Sequence, residues 1–467
     1  MNASLIAALR QACGDAAVLT EPDAIAPFVT DWKGTSIGCA QAVVRPATTA
    51  QVADVVRACG AADVPIVPQG GNTGLATGAT PLDLPDAVVV NLSRMREIVS
   101  IDPLGNTMIV EAGAVLSDVQ EAARVAHRYF PLSLAAEGSA EIGGLIATNA
   151  GGTAVLRYGS MRALVLGLEV VLPDGTVADG MRALYKDNAG YDWKQLFIGS
   201  EGTLGIITRA VLRLFPQPRA SVTAMLGVAT AAGALRAFSR LRELLGETLT
   251  ACELIPERAF ALRTEFEPAL RRPLRKHPWY LLIEAASSLS SLTTEAEEAL
   301  AALEDDAEIG EIVMAQAPAH ARVLWDWRET ISESEKRAGP SLKHDVSVAV
   351  ADVPSFIERA TAAVEAQFPG TRVLAFGHMG DGNIHFNVQL PADAALDREA
   401  VSAAVYEFIA QYRGSITAEH GIGRYRRAQL LHHRSAAELE IMKAMKGAID
   451  PRDRMNPGAV LRLGRQS

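Results

Sequence analysis

A chain of 467 residues that is 49% apolar and 21% charged is too long for one ordinary hydrophobic core and too apolar to be disordered, so at least two packed domains are expected. Its net charge of −10 offers no basic face to a phosphate backbone, which excludes general nucleic-acid binding. No segment approaches the run of about 18 apolar residues that a bilayer span requires. The most apolar stretch, Leu164 to Leu172, is short and carries Glu169. The opening residues MNASLIAALRQACGD show a helical apolar period without the basic leader of a signal peptide. Cys13, Cys39, Cys59 and Cys252 have no metal-like spacing and are expected as buried free thiols of a reducing compartment. A cytoplasmic protein is expected; peripheral attachment to the inner membrane and assembly as a homodimer are left open.

The first third alternates helix and strand signals. Gln41–Arg45 reads as a strand, and Thr49–Gly60 as a helix opened by a Thr cap, with Val52, Val55, Val56 and Ala58 on one face. Pro65–Pro68 is a short strand entering Pro68-Gln69-Gly70-Gly71-Asn72-Thr73-Gly74. Ala87–Leu92, Thr107–Val110 and Val165–Leu172 are further strands, the last closed by the turn Pro173-Asp174-Gly175. This part reads as an α+β nucleotide-type domain ending near Phe215. After Pro216–Pro218, alanine-rich and charged helices alternate with strands such as Tyr280–Ala285, Asp345–Val350 and Val373–Phe376. The pattern predicts helices on an antiparallel sheet. From about Ser415 the tail reads as helical.

The Gly70–Gly74 loop follows a strand and can expose several backbone N–H groups to a pyrophosphate. Its spacing fits neither the Walker nor the Rossmann loop, and taken alone it is equally well a bland turn. Further small-residue loops follow: Glu137-Gly138-Ser139, Ile142-Gly143-Gly144, Ala147-Thr148-Asn149-Ala150-Gly151-Gly152, Arg157-Tyr158-Gly159, Lys186–Asp192 and Ile198–Thr208. Together they suggest a long ligand laid against bare backbone. PQGGNTGL, ATNAGG, RYG, KDNAGYD and IGSEGTLGIIT resemble the FAD-binding domain of the vanillyl-alcohol oxidase/p-cresol methylhydroxylase superfamily. The resemblance implies a p-cresol methylhydroxylase-type FAD-binding domain over residues 1–215, a substrate domain over 216–414, and a helical segment over 415–467 that returns to the FAD site. It assigns to the cofactor Pro68, Gly70, Gly71, Asn72, Thr73, Gly74, Leu75, Glu137, Gly138, Ser139, Gly143, Gly144, Thr148, Asn149, Gly152, Tyr158, Glu201, Gly202, Ile206, Ile207 and Asn456. Some family members attach FAD through a histidine in the first loop; Asn72 stands there instead, which implies non-covalent FAD.

The densest chemistry is Phe376-Gly377-His378-Met379-Gly380-Asp381-Gly382-Asn383-Ile384-His385-Phe386-Asn387. GDGN is a strong hairpin turn that folds the strand ending near His378 back against the one carrying His385. His385 and Asn387 share one strand face; Ile384, Phe386 and Val388 share the other. Farther on, in Thr417–Gly423, Glu419 offers a third ligand for a divalent ion such as Zn²⁺ or Mn²⁺, and His420 is left as a base. GHMGDGNIHFN and TAEHGIG resemble the C-terminal domain of the FAD-linked D-2-hydroxy-acid dehydrogenases, over roughly residues 40 to 460. The resemblance implies His378, His385 and Glu419 as metal ligands, His420 as catalytic base and Asn387 in substrate binding.

Arg328 and Ser332 are four apart and are expected on one helix face; Arg offers a carboxylate a bidentate fork, and Lys343 adds a point charge. From spacing alone the same residues fit a solvated helix face. In the D-2-hydroxyglutarate branch of the family, an Arg, a hydroxyl residue four later and a Lys on the next strand bind substrate. Arg328, Ser332 and Lys343 match, with Ser for the more familiar Thr and His344 where an aromatic is common. The expected reaction is metal-assisted, FAD-dependent oxidation of D-2-hydroxyglutarate to 2-oxoglutarate, with D-lactate or glycolate as the alternative and a zinc hydrolase as a more distant one. The electron acceptor expected is an electron-transfer flavoprotein or a quinone.

Overall fold

The computed structural model describes residues 2–391 and 396–463. The chain divides into two compact units: Met1–Gly152, Gly159–Gln217 and Glu419–Ser467 form the first, and Thr153–Tyr158 with Pro218–Ala418 the second. No helix among the described residues is long and apolar enough to cross a membrane.

In the first unit a four-stranded sheet runs in the order Val18–Leu19, Ala42–Val44, Val88–Asn91, Ile66–Gln69. The last three strands are parallel. Their valines are buried without alternation, as parallel strands covered on both faces require. The helix Thr49–Ala61 is capped by Thr48, one residue before the expected cap, whose hydroxyl accepts from Gln51 N; it buries Val52, Val55, Val56 and Cys59. Cys13, Cys59 and Cys252 are buried free thiols, whereas Cys39 is exposed.

The edge strand Ile66–Gln69 is covered by the tail. Ile66 N donates to Arg454 O at 2.8 Å and Asn456 N to Ile66 O at 2.7 Å, so Met455 pairs with Ile66 as a short parallel bridge. A five-stranded antiparallel sheet follows the order Ile98–Asp102, Thr107–Glu111, Ile206–Arg213, Val165–Val171, Val177–Asp179. The tail helix Ala436–Ile449 carries the buried Lys446. Its ammonium pairs with Asp450 at 2.5 Å and donates to Thr203 O and Met455 O at 2.8 Å each. Every donor of this buried charge is thereby met by an acceptor, as burial demands.

The second unit is built on a seven-stranded antiparallel sheet in the order Ile309–Met314, Ala220–Val228, Trp279–Ser287, Leu249–Pro256, Arg372–His378, Asn383–Gln389, Ser341–Ser347. The strand expected at Asp345–Val350 begins four residues earlier, and Val350–Asp352 is a 3₁₀ turn. Phe260 stacks on Tyr280 at 4.1 Å and packs on Trp327 at 4.5 Å. This aromatic cluster seats the helix Pro318–Glu329 on the sheet. That helix ends at Thr330, and a second, Ile331–Ala338, begins there. Arg328 and Ser332 therefore lie on different helices and not on one continuous face.

Candidate functional site

The small-residue loops of the first unit come together against one another. A Cβ on Gly71 would stand 1.9 Å from Ser139 O, and one on Gly202 3.0 Å from Pro68 Cγ. Asn72 and Asn149 take left-handed backbone (φ 54° and 50°), which Asn tolerates better than most residues. Their side chains hold the loops: the Asn72 amide donates to Thr30 O at 2.8 Å, and Asn149 Oδ1 accepts from Ser160 Oγ and Arg162 N. Thr148 Oγ1 donates to Gly144 O, and Glu137 Oε1 accepts from Leu134 N. Ile206 and Ile207 are buried at the start of their strand.

Gly74, Gly138 and Gly144 are different. Their backbone is ordinary, and nothing lies within 4 Å of where a Cβ would stand. Neither strain nor packing requires glycine there, so the open space is a place where a ligand could approach bare backbone. Beside it lies Glu141, a buried carboxyl whose Oε2 has no hydrogen-bond partner and would stand 3.3 Å from a Cβ on Gly70. Burial pushes it up to about 7, against the opposing pull of Arg45.

Glu201 and Asn456, expected at the cofactor, are committed to the protein. Glu201 accepts from Ile422 N and Gly423 N at 2.7 Å each, and burial raises its pKa despite those bonds. The Asn456 amide donates to Gly78 O and Glu201 O, and its oxygen accepts from Arg424. They fasten the segment that follows Glu419 and His420. Tyr158 groups with the second unit, its ring 4.9 Å from the Arg157 guanidinium carbon.

In the second unit one sheet face carries the polar residues. Glu253 stands opposite His378, Phe376 opposite His385, His385 opposite Asp345 and Asn387 opposite Lys343; residues paired directly across strands share a face. The hairpin turns through Met379–Gly382, with Gly382 at φ 82°. The two imidazoles meet edge to face with ring centroids 5.4 Å apart.

Glu253 is fully buried. It accepts from Arg328 Nε on one oxygen and from His378 Nδ1–H on the other, both at 2.5 Å. Burial opposes its ionisation, but Arg328 and His378 outweigh burial and hold it well below the usual carboxylate range. The bond through Nδ1 fixes the orientation of the His378 ring, and Asp345 stands 3.8 Å from His385 Nδ1. A carboxylate hydrogen-bonded behind an imidazole, as Glu253 is behind His378, is the arrangement that orients a metal-ligating histidine. The Arg328 guanidinium also lies over the Phe376 ring at 4.8 Å.

Glu335, 2% exposed, accepts on Oε2 from Lys343 Nζ at 3.0 Å and Asn387 Nδ2 at 2.7 Å. Its Oε1 is buried without a hydrogen-bond partner. Ser332 is exposed. His344 faces away from this array: it donates from Nδ1 to Phe386 O, meets Ser402 through Nε2 and packs on Tyr406.

Residues 40–180 match the family model of an FAD binding domain, and residues 217–460 that of the FAD linked oxidases, C-terminal domain. The D-2-hydroxyglutarate dehydrogenase of Stutzerimonas stutzeri is 37% identical over 458 residues, covering 95% of this chain and 96% of that protein. The mitochondrial D-2-hydroxyglutarate dehydrogenase of Bos taurus is 36% identical over 447 residues, covering 95% and 81%. The chain belongs to the FAD-linked D-2-hydroxy-acid dehydrogenases. Its fold is that of the p-cresol methylhydroxylase superfamily. A structure of p-cresol methylhydroxylase with substrate bound superposes with a TM-score of 0.74 at 17% identity, covering 99% of this chain and 98% of that one.

The open-faced glycines fit the FAD of this dehydrogenase family, since a flat, extended cofactor needs backbone without side chains in its path. Sequence reasoning missed Glu141, Glu253, Asp345 and Glu335. Glu253 was detectable as the one charge in the apolar strand LTACELIP. Glu335, in ISESEKRA, has the same local pattern as the exposed Glu333, and only the fold tells them apart.

Two expectations follow for the FAD-binding unit. Gly144→Ala should stabilise the FAD-free protein by about 0.5–1 kcal/mol, the usual gain in a helix, yet lower its FAD affinity. Urea titration and FAD titration of the same sample read the two signs; unchanged FAD affinity would remove Gly144 from the cradle. Because the folded pKa of Glu141 is raised, its stabilising share is present below the ordinary glutamate range and is lost as pH climbs to about 7. Glu141→Gln should therefore flatten the fall in FAD-free stability between pH 5 and 7 and gain about 3 kcal/mol at pH 8. Denaturation midpoints that keep the wild-type pH slope would refute this.

Proposed function

We propose that this dehydrogenase oxidises a D-2-hydroxy acid to the 2-oxo acid with the help of a divalent ion. The observation that carries the reading is the sheet face on which His378 and His385 stand with carboxylates behind them, in a chain of this family. FAD, when bound, supplies the acceptor for the hydride that leaves Cα. His378, His385 and Glu419 would hold Zn²⁺ or Mn²⁺, a charge that acidifies the substrate hydroxyl. His420 takes the hydroxyl proton on its imidazole. Arg328, Lys343 and Asn387 orient the substrate; Ser332, exposed and on the next helix, stands apart from them. The loops around Gly70–Gly74, Gly138–Gly144 and Gly202 receive the cofactor.

The names of the relatives favour D-2-hydroxyglutarate as substrate. One observation favours the second reading, D-lactate or glycolate: both cations meant for a distal carboxylate already hold buried carboxylates. An electron-transfer flavoprotein or a quinone would take the electrons onward. Anaerobic mixing with a panel of D- and L-2-hydroxy acids tests the class. Bleaching of the flavin by D-acids supports it, and bleaching by none defeats it.

With Asn72 where some relatives of the fold carry the attaching histidine, FAD is held non-covalently. Acid precipitation should leave the yellow colour in the supernatant; colour that stays in the pellet would overturn this.

His385→Ala should lose metal and activity together. His420→Ala should keep metal and FAD but slow flavin reduction by about 10²–10⁴-fold, the usual loss for a general base. Metal analysis with single-turnover flavin reduction separates the roles. A His420→Ala protein without metal, or full wild-type activity after chelation, would show the roles misassigned.

A further inference from the structure

We propose that Glu335 is a specificity-determining residue that turns the site away from a second carboxylate, so that the preferred D-2-hydroxy acid carries only one. The inference rests on the D-2-hydroxy-acid reading above and refines its substrate class. A distal carboxylate needs a cation whose charge is not already spent. Lys343 is bound to Glu335 at 3.0 Å, and the same Glu335 oxygen holds the Asn387 amide. Arg328 is bound to Glu253, which also holds His378. Each candidate clamp residue is thus neutralised by a carboxylate on the same sheet face or on the helix packed over it.

The two pairs differ in how they can yield. Glu253 is held on both oxygens, by Arg328 and by His378. Glu335 has a second oxygen, Oε1, that is buried and has no hydrogen-bond partner. A carboxylate arriving at the exposed side of Lys343 would find its ammonium already paired with Glu335 at 3.0 Å, and the two like charges would oppose each other across it. A substrate tail ending in a neutral amide, or an apolar one, would bring no second negative charge to that pair. Local sequence gives no hint of this. Glu335 lies three residues beyond Ser332, on the helix after the break at Thr330, and meets Lys343 and Asn387, which stand opposite each other on paired strands, only through the fold.

Matched five-carbon substrates test the inference on the holoenzyme: D-2-hydroxyglutarate, its 5-amide, and D-2-hydroxypentanoate. Wild type should show higher kcat/KM for the amide or the pentanoate than for the diacid. Glu335→Gln keeps shape and the contact to Asn387 but frees the charge of Lys343. It should raise the diacid-to-pentanoate ratio of kcat/KM by about 10–100-fold, the range for one charged hydrogen bond, mainly through KM. Adding Lys343→Met to Glu335→Gln should abolish the gain. The dissociation constants of 2-oxoglutarate and 2-oxopentanoate, read from the spectrum of the oxidised flavin, should shift in the same direction without turnover. If wild type prefers the diacid, or if Glu335→Gln leaves both ratios unchanged, Glu335 does not set the preference. If Glu335→Gln fails to fold, the wild-type preference and the ratio in Lys343→Met alone decide: a diacid preference that Lys343→Met destroys would show Lys343 already free to bind it. If none of the three acids reduces the flavin, the D-2-hydroxy-acid reading itself falls.

Discussion

A carboxylate with no access to water must be met on every side, and Glu253 is such a carboxylate. It sits in the middle of an apolar strand, and its ionised form is tolerable only because Arg328 and His378 each donate to it. That need fixes much else in the second unit. Arg328 must come from the last turn of Pro318–Glu329, so that helix must lie where the Phe260, Tyr280 and Trp327 cluster seats it. His378 must present Nδ1 inward, which leaves Nε2 to point the other way. The hairpin can then place His385 against it. Charge, tautomer and helix position are three results of one desolvated group.

The first unit obeys a similar rule at Lys446 and Glu201. Both bind backbone across the unit: Lys446 in addition to its ion pair with Asp450, Glu201 through both carboxylate oxygens. Lys446 holds the carbonyls of Thr203 and Met455, and Glu201 holds the amides of Ile422 and Gly423. Backbone partners cannot rotate away, so such contacts set the path of a loop more firmly than a pair of long side chains would. Glu201 and Thr203, whose carbonyl Lys446 holds, flank Gly202, so these contacts brace the glycine-rich segment Gly199–Gly205 as well as the residues after His420. A site that works by placing Cα of a substrate against a flat cofactor depends on this rigidity.

Much of the fold was legible in the sequence because its signals were local. The valines at 88–90, the Pro173-Asp174-Gly175 turn and the GDGN hairpin each follow from neighbours in the chain, and their observed positions differ from expectation by a residue or two. The strand at Ser341–Ser347 was placed too late because its first residues, Ser-Leu-Lys-His, lack an apolar alternation; they are a strand because Asn383–Gln389 pairs with them. The approach of His378 to His385 was legible from the hairpin turn between them. The carboxylates behind them were not, since a glutamate in a helix reads as solvated until a partner from elsewhere covers it. Ser332 shows the reverse error: a spacing of four implies a shared face only if the helix continues, and this one stops at Thr330.

The tail that covers Ile66–Gln69 has a consequence for how the protein is made. Gly78 and Asn456, hydrogen-bonded to each other, are 378 positions apart. On a ribosome the first 217 residues emerge long before Arg454–Asn456 can dock. During that interval the edge strand Ile66–Gln69 has unpaired amides and carbonyls, a template for pairing with another chain. The unit that holds the glycine cradle is thus the earlier to be synthesised and the later to be closed. Its last contacts have high sequence separation, which slows folding through the cost of loop closure. The second unit, apart from the six residues Thr153–Tyr158, is continuous in sequence, and can form while the first still waits for its final strand partner.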